Sequence, residues 1–222
     1  MTQIIPALIV SDDNPENDFE ELKTKFLRLE PFLGEFDNWV QIDITDGEFV
    51  STKTDVNIVD LKYFTERANI EFHLMIDRPE KTIGEWVRIG PKRIIVHIEA
   101  VIDLKKVIDV CRENSVEVSL ALNPETPTIM IEPWINAVDL ILFLGVHPGR
   151  GGQEFIPSVL KKVKSLRQNF PNVKIGIDGG VNTSNVKELK NAGVNIFVIG
   201  SGILKSPDIG QAIQDLKSTL SD

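Results

Sequence analysis

The segment WVQIDITDG, residues 39–47, alternates apolar and polar side chains along a short run rich in branched residues. Three branched apolar residues share one face of it: Val40, Ile42 and Ile44. An amide, a carboxylate and a hydroxyl share the other face: Gln41, Asp43 and Thr45. A period of two residues predicts a β-strand with one face against a core. The polar face then either meets solvent or points into a functional site.

The composition is that of a globular protein, and we expect one domain over residues 1–222. Hydrophobic residues make up 42% of the chain and charged residues 26%, with no compositional break. Both values are ordinary for a folded domain. The formal net charge of −9 argues against a surface for nucleic acid or anionic membrane, because such surfaces need basic patches. A local phosphate pocket built from backbone N–H groups stays compatible with this charge.

Two features predict a cytoplasmic protein without a membrane segment. The only cysteine is Cys111, which excludes an internal disulfide and is typical of a reducing compartment. Residues 1–14 lack the basic start of a signal peptide, and Pro6 interrupts their short apolar run. No other apolar run is long enough to cross a bilayer.

Short apolar runs alternate with helical patterns, which predicts the α/β class and a (β/α)8 TIM barrel. Between the runs, apolar residues recur three and four apart, as in residues 17–29 and 156–170. Eight such units match the barrel in number and length. A doubly wound open sheet is the alternative, but the Gly-x-Gly-x-x-Gly expected after its first strand is missing. The expected strands are residues 4–10, 39–45, 71–76, 93–99, 117–123, 139–146, 173–178 and 195–200.

The alternation within the strands sorts polar residues to the inside of this barrel. Outward side chains must be apolar because they meet the helices, whereas inward side chains near the carboxyl ends of the strands can be polar. By this rule His97 and Glu99 face inward from the fourth strand, and Ser119 and Asn123 from the fifth. His97 is interpreted as a buried histidine paired with the carboxylate of Glu99. We expect the functional site at the carboxyl ends of the strands.

Two carboxylates at inward strand positions predict acid–base chemistry. Asp43 lies on the second strand and Asp178 ends the seventh, so the two lie on opposing sides of the barrel mouth. Such a pair can remove a proton from one face of a carbon and return it to the other face. The alternative is that each acid only accepts hydrogen bonds from nearby loop amides.

An inward histidine beside these acids predicts a metal site. His73 lies on the third strand, next to Asp43, and shares its face with Met75. Nitrogen and oxygen ligands of this kind suit a divalent metal, and an amide is the weakest of them. The candidate ligands are Asp43, His73, Asp178 and, as a weak fourth, Gln41.

Glycine-rich loops after the last three strands predict a phosphate site. Residues 146–155, VHPGRGGQEF, follow the sixth strand and let backbone amides approach a ligand closely. The Lys-Ser/Thr pair of a nucleotide P-loop is missing, so a nucleotide is not expected. Barrels commonly bind phosphate at the loops after strands seven and eight. The candidates there are Gly179, Gly180, Gly200 and Ser201.

Several motifs, taken in order, resemble the ribulose-phosphate 3-epimerase family over nearly the whole chain. They are DITDGEFV, FHLMI, VHIEA, ALNPETP, HPGRGGQEFIPSVLKKV, IDGGVN and IGSGI. The resemblance implies a barrel of the ribulose-phosphate-binding type. It also implies an isomerase of the pentose phosphate pathway that interconverts ribulose 5-phosphate and xylulose 5-phosphate. In that family one Asp takes a proton, another returns it from the opposite face, and a divalent metal (Zn, Mn or Fe) stabilises the enediolate.

The same resemblance assigns roles to residues of this chain. Asp43 and Asp178 match the catalytic pair and, with His73, metal ligands. Met75 matches one of the methionines that cap the family's site. The implied partner is a small-molecule sugar phosphate, and family members are commonly homo-oligomers. The residues that match the phosphate-binding region are Gly149, Gly151, Gly152, Gly179, Gly180, Gly200 and Ser201.

Departures from the family pattern keep alternatives open. Gln41 stands where the family has a histidine two residues before the Asp, and Ala7 stands where it has a serine. Thr45 and Leu144 stand where it has methionines. A neutral amide is a weaker ligand than imidazole, so we expect lower metal affinity. The alternatives are a divergent sugar-phosphate-binding homologue with weak or no epimerase activity, and an epimerase for another ketose phosphate.

Overall fold

Eight parallel strands close into a barrel in which each strand pairs with the next and the last pairs with the first. This closed barrel confirms the predicted (β/α)8 architecture. The computed structural model describes residues 2–10 and 17–221. The strands are β1 (Gln3–Leu8), β2 (Trp39–Thr45), β3 (Asn69–Met75), β4 (Arg93–His97), β5 (Glu117–Leu122), β6 (Leu140–Leu144), β7 (Ile175–Asp178) and β8 (Ile196–Ile199).

Helices follow the strands and cover the outside of the barrel, except after β5, where described residues 123–139 contain two short 3-10 turns. Within the described ranges, no helix combines the length and apolarity needed to cross a membrane. The helices are α1 (Asp18–Leu29), α2 (Lys62–Thr65), α3 (Ile83–Arg88), α4 (Leu104–Glu113), α5 (Ser158–Asn169), α6 (Val186–Ala192), α7 (Ser201–Leu204) and α8 (Ile209–Ser221).

Two separate apolar cores are present, and alternate residues of β1, β4, β5, β6 and β8 divide between them. Ile94 and Val96 of β4 face outward into the core between strands and helices, whereas Ile95 faces the small core inside the barrel. Helix α1 contributes Phe26 to the outer core, where its ring centre lies 5.3 Å from that of Phe64. The period-two sorting expected from the sequence follows from this arrangement, because the inner and outer walls of the barrel are both packed.

The amino-terminal ends of the strands carry a buried charge cluster. Arg93 Nη1 lies 2.6 Å from Glu71 Oε2, and Arg93 Nη2 lies 2.6 Å from Glu117 Oε2. The guanidinium carbon stacks 4.4 Å from the ring centre of Trp39. Burial raises the pKa of Glu71, although the charge of Arg93 opposes that shift. This cluster fills the lower end of the barrel and leaves the opposite end for the site.

Strand register brings the polar residues together at the carboxyl ends. Asp43 of β2 is the direct partner of His73 in β3. Asp178, the last residue of β7, is the partner of Leu144 in β6. Parallel strands end at the same rim of the barrel, so these side chains share one mouth.

Candidate active site

A pocket of about 460 Å³ opens at the carboxyl ends of the strands. Its lining includes Asp43, His73 and Asp178, all of which are buried. Apolar side chains at the neighbouring strand ends also line it: Ala7, Met75 and Leu144. The pocket is therefore polar at the strand ends that carry the acids and apolar on part of its wall, as ligand sites commonly are.

The structure brings the two aspartates together around one histidine. His73 Nδ1 lies 3.3 Å from Asp43 Oδ1 and 3.3 Å from Asp178 Oδ2. These atoms come from β2, β3 and β7, so only the closed barrel places them in contact. The two carboxylates can therefore act on one ligand, and the alternative that each acid serves only its own loop does not describe this geometry.

Gln41 contacts the same carboxylate oxygens, but through its nitrogen. Gln41 Nε2 donates to Asp43 Oδ1 at 2.7 Å and to Asp178 Oδ2 at 2.7 Å. Its Oε1 is buried and has no hydrogen-bond partner in the described part of the chain. Gln41 thus presents a donor in this conformation, and its role as a weak fourth metal ligand stays a prediction. Carboxylate oxygens accept hydrogen bonds, so the amide of Gln41 presents its nitrogen, which donates, rather than its oxygen.

The carboxylates set the charge of the histidine between them. Burial lowers the pKa of His73, but the hydrogen bonds and charges of Asp178 and Asp43 outweigh burial and raise it to about 10. Burial, together with the charge of Asp178, raises the pKa of Asp43. Without a bound metal, the site therefore holds His73 as an imidazolium at neutral pH, beside a carboxyl group that accepts a proton more readily than an exposed aspartate does. His73 would lose that proton on binding a metal.

A second histidine supports the first. His97 Nε2 lies 2.9 Å from His73 Nε2, and His97 Nδ1 lies 3.3 Å from Glu99 Oε2. Burial lowers the pKa of His97 to about 4, so its ring is neutral. The neutral ring then donates from Nδ1 to Glu99 and accepts at Nε2 from His73. The predicted pairing of His97 with Glu99 is confirmed, whereas its contact with His73 was missed, although both side chains face inward from adjacent strands.

The donor set fits a divalent metal. One ligand atom each from Asp43, His73 and Asp178 lies within 4.8 Å of the other two. Two carboxylates and an imidazole suit Mn, Fe or Zn. His97 at His73 Nε2 supplies the outer hydrogen bond that fixes the ring orientation of a ligating histidine. Three of the four expected ligands are thus placed for a metal.

Glycines form the wall on the side of β7 and β8. Gly179, Gly180, Gly200 and Ser201 all line the pocket. At Gly180 the φ angle is +70°, and a Cβ there would lie 2.6 Å from Phe155 Cα. Only glycine fits such a position. The backbone can therefore approach a ligand closely at this wall, as an anion site made of amides requires.

The loop after β6 lines the pocket and contacts the loop after β2. Gly149, Gly151 and Gly152 line the pocket, and Thr52 Oγ1 donates to the carbonyl oxygen of Gly149 at 3.0 Å. A Cβ on Gly152 would lie 3.5 Å from Lys205 Nζ. The glycine loop thus lies against a cation that the sequence reasoning missed.

Three of the four cations at the rim of the pocket were not found from the sequence, whereas Arg150 lies within the glycine loop that the sequence singled out. The acids among the described residues that line the pocket are Asp43 and Asp178. Four cations line the same pocket: Lys25, Arg28, Arg150 and Lys205. Lys25 and Arg28 belong to α1, and Lys205 follows α7, so no motif marks them. A chain with a net charge of −9 therefore presents a basic rim to anything that enters.

Thr45, a polar residue of segment 39–47, has a structural role instead. Thr45 Oγ1 lies 3.1 Å from Thr54 Oγ1, and the Thr45 amide donates to the same atom at 3.1 Å. Thr45 is not among the lining residues of the pocket. Of the two places open to the polar face of β2, solvent or a functional site, Asp43 takes the site, whereas Thr45 is buried and its hydroxyl is hydrogen-bonded to Thr54.

Solved structures share this fold at low sequence identity. A Streptococcus mutans protein named KGPDC superposes with a TM-score of 0.70 at 15% identity. The alignment covers 100% of this chain and 98% of that one. A 3-hexulose-6-phosphate synthase gives a TM-score of 0.68 at 12% identity, with 99% of this chain and 100% of the other covered.

Sequence comparison is more specific. The ribulose-phosphate 3-epimerase of Schizosaccharomyces pombe is 30% identical over 98% of this chain and 93% of its own length. The protein of that name from Synechocystis is 34% identical over 82% of each chain. The model described as the ribulose-phosphate 3 epimerase family matches residues 18–204. On this evidence the chain belongs to the ribulose-phosphate 3-epimerase family.

Proposed function

We propose that this chain is a ketose-phosphate 3-epimerase that interconverts ribulose 5-phosphate and xylulose 5-phosphate. The observation that carries the proposal is the pair of carboxylates from β2 and β7 around one pocket, in a chain whose relatives have that name. Inversion of a carbon needs one group on each face of it, and strands from different parts of the barrel supply the two groups.

The proton transfers follow from the free carboxylate oxygens. In the described chain Asp43 Oδ2 and Asp178 Oδ1 have no hydrogen-bond partner, whereas the other oxygen of each accepts from Gln41. One carboxylate takes the C3 proton, and the electron pair of that bond moves into an enediolate. The other carboxyl group then donates its proton to the opposite face of C3. Since burial and Asp178 raise the pKa of Asp43, that residue is suited to hold the proton first.

Other groups of the site bind and polarise the substrate. Asp43, His73 and Asp178 would hold a divalent metal, which would supply positive charge to stabilise negative charge that develops on the substrate. The amides of the glycine wall, at Gly180 and Gly200 among others, bind the phosphate. The substrate is a small molecule, and we propose that it is met in the cytoplasm.

Solvent exchange tests this function. The purified protein, supplied in turn with Zn, Mn and Fe(II), is incubated with ribulose 5-phosphate in D₂O. We expect deuterium at C3 of both epimers by NMR, because each carboxyl group exchanges its proton with solvent between turnovers. Absence of exchange at C3 with all three metals would reject the proposal.

A second function rests on the altered residues around the acids. Gln41 offers nitrogen rather than oxygen to the site, and Ala7 provides no hydroxyl. Both observations favour a sugar-phosphate-binding homologue with weak or no turnover, or an epimerase for another ketose phosphate. Calorimetry, combined with the exchange experiment, decides between them. Binding of ribulose 5-phosphate without exchange at C3 supports the binding protein. Exchange confined to a different ketose phosphate supports the other epimerase.

Replacement of the rim cation Lys205 should raise KM. The Lys205→Met variant removes the positive charge beside the glycine loop and keeps an unbranched side chain that is one atom shorter. We expect KM to rise about tenfold with kcat within a factor of two, because a hydrogen bond to a charged group contributes about 1.5 kcal/mol. Steady-state kinetics measures both constants. Lys161→Met, on the exposed surface of α5, is the matched control, and an equal rise in KM there would indicate a general charge effect instead.

A further inference from the structure

Gln41 is the one neutral side chain that joins the two acids in the described structure. It is fully buried, and its Nε2 contacts one oxygen of Asp43 and one oxygen of Asp178 at 2.7 Å each. An amide NH₂ has two hydrogens, so each hydrogen can serve one carboxylate. The same two oxygens also face His73 Nδ1 at 3.3 Å. The hydrogen bonds of Gln41 are thus the shorter of the two sets.

The backbone fixes the place of this amide. Gln41 lies two residues before Asp43 on β2, so its side chain points to the same side about 6.6 Å further down the strand. From there it reaches up between the strands to Asp178, which lies on β7. Ala7 of β1, its register partner, has a short side chain and leaves this path open. The packed barrel interior around it holds the amide in one place.

We propose that Gln41 is a positioning residue for the acid–base pair. It holds one oxygen of each carboxylate and thereby sets the separation and rotation of the two groups, so that the other two oxygens face the substrate. The inference rests on the proposed epimerase function. Its consequence is that the acids keep their geometry without a metal, because hydrogen-bond donors offset the repulsion between them.

The alternative role, an oxygen ligand to a metal, needs a different conformation. Gln41 Oε1 would have to exchange places with Nε2 by a half-turn of the amide, and both hydrogen bonds to the carboxylates would be lost. In the present conformation Oε1 has no hydrogen-bond partner among the described residues, so only the nitrogen of Gln41 acts on the acids. A donor between the acids matters most in metal-free protein, whereas a ligand matters only when metal is present.

The test compares Gln41→Met with wild type after chelation and again with Mn supplied. Methionine keeps the length of the side chain and removes the donor. In the chelated protein we expect kcat to fall about 10- to 100-fold with KM within a factor of two, because a 1 Å misplacement of reacting groups can cost about 100-fold. The low-pH limb of the kcat profile should also move to higher pH, since the charged carboxylates lose a donor that favours them.

Ser119→Ala is the matched control. Ser119 is fully buried, faces the barrel interior and has no partner for its Oγ in the described chain. We expect its kcat to equal that of wild type. An equal loss in both variants would overturn the proposal, because any change inside the barrel would then suffice. Loss of Gln41→Met activity only with Mn present would also overturn it, in favour of the ligand role.

A second readout separates this inference from the epimerase proposal. The titration of Asp43, followed by carbon NMR of its carboxyl group, needs no turnover. We expect a higher pKa for Asp43 in chelated Gln41→Met than in chelated wild type. An unchanged pKa would overturn the positioning role. Absence of exchange in wild type, with the NMR shift present, would reject the epimerase function and leave the contact of Gln41 with the acids established.

Discussion

Asp178→Asn should lower the rate of interconversion about 100- to 10,000-fold, the range that one positioned general acid or base contributes. The amide keeps the size of the side chain, but it neither takes the C3 proton nor returns one. Asp178 is 8% exposed and lines the pocket, and in the proposed mechanism the other acid there, Asp43, serves the opposite face of C3 and does not replace it. Asp43→Asn should cause a loss of the same order.

The two variants should differ in which epimer still exchanges. In the proposed mechanism each carboxylate serves one side of C3, so a variant that retains one acid should still remove the proton that points to that acid. We expect Asp178→Asn to exchange the C3 proton of one of the two pentulose phosphates in D₂O without inversion. Asp43→Asn should exchange that of the other. NMR of each epimer, incubated separately in D₂O, measures the exchange of its C3 proton.

Three measurements support the interpretation of these variants. Circular dichroism should show an intact fold, and calorimetry should show that the sugar phosphate still binds. Asp109→Asn, on the exposed surface of α4, should retain full activity. A rate for Asp178→Asn above one tenth of wild type would mean that Asp178 is not an acid or base in this reaction.

The placement of the acids could be predicted because it depends on period and order alone. Alternation in β2 assigns Asp43 to the inside, and position at the end of β7 assigns Asp178 to the mouth. His73 follows from the same rule, since it is the register partner of Asp43. Local pattern and barrel closure therefore suffice to bring these three residues into one pocket.

The roles of other residues could not be predicted, because they depend on partners from distant strands. The pattern gives a face for Gln41 but not the atom that it presents, which the two carboxylates decide. Thr45 shares that face, yet Thr54 from a loop takes its hydroxyl. Lys205 lies beyond a four-residue helix and becomes part of the site only when the glycine loop folds against it.

The same limit applies to Arg93, because alternation places it inside the barrel with His97 but does not show its ion pair with Glu71 of β3. Arg93→Met should lower the free energy of unfolding by about 3–5 kcal/mol at neutral pH, because it leaves a buried carboxylate without its cation. Arg93 is 2% exposed and Glu71 is fully buried, so water does not replace the lost partner. Urea denaturation measures the change.

The loss should depend on pH with a defined sign. Burial already raises the pKa of Glu71, and Arg93 is the group whose charge opposes this shift, so the pKa rises further in Arg93→Met. Unfolded glutamate titrates near about 4.3. Folded Glu71 therefore binds its proton more tightly than the unfolded chain does, and the stability of the variant falls as pH rises from about 4.3 through the raised pKa. Below that window both states are protonated, and the variant should approach wild type.

Two further variants decide whether burial of the unpaired charge is the cause. Glu117 is the other partner of Arg93, and its side chain is 40% exposed. Glu117→Gln should therefore lower the free energy of unfolding by less than about 1 kcal/mol, because solvent screens that ion pair. The double variant Glu71→Leu with Arg93→Met removes both buried charges and should recover most of the stability, since apolar replacements for a buried ion pair are often neutral. If the double variant is as unstable as Arg93→Met, the packing of the guanidinium on Trp39, rather than its charge, stabilises the lower end of the barrel.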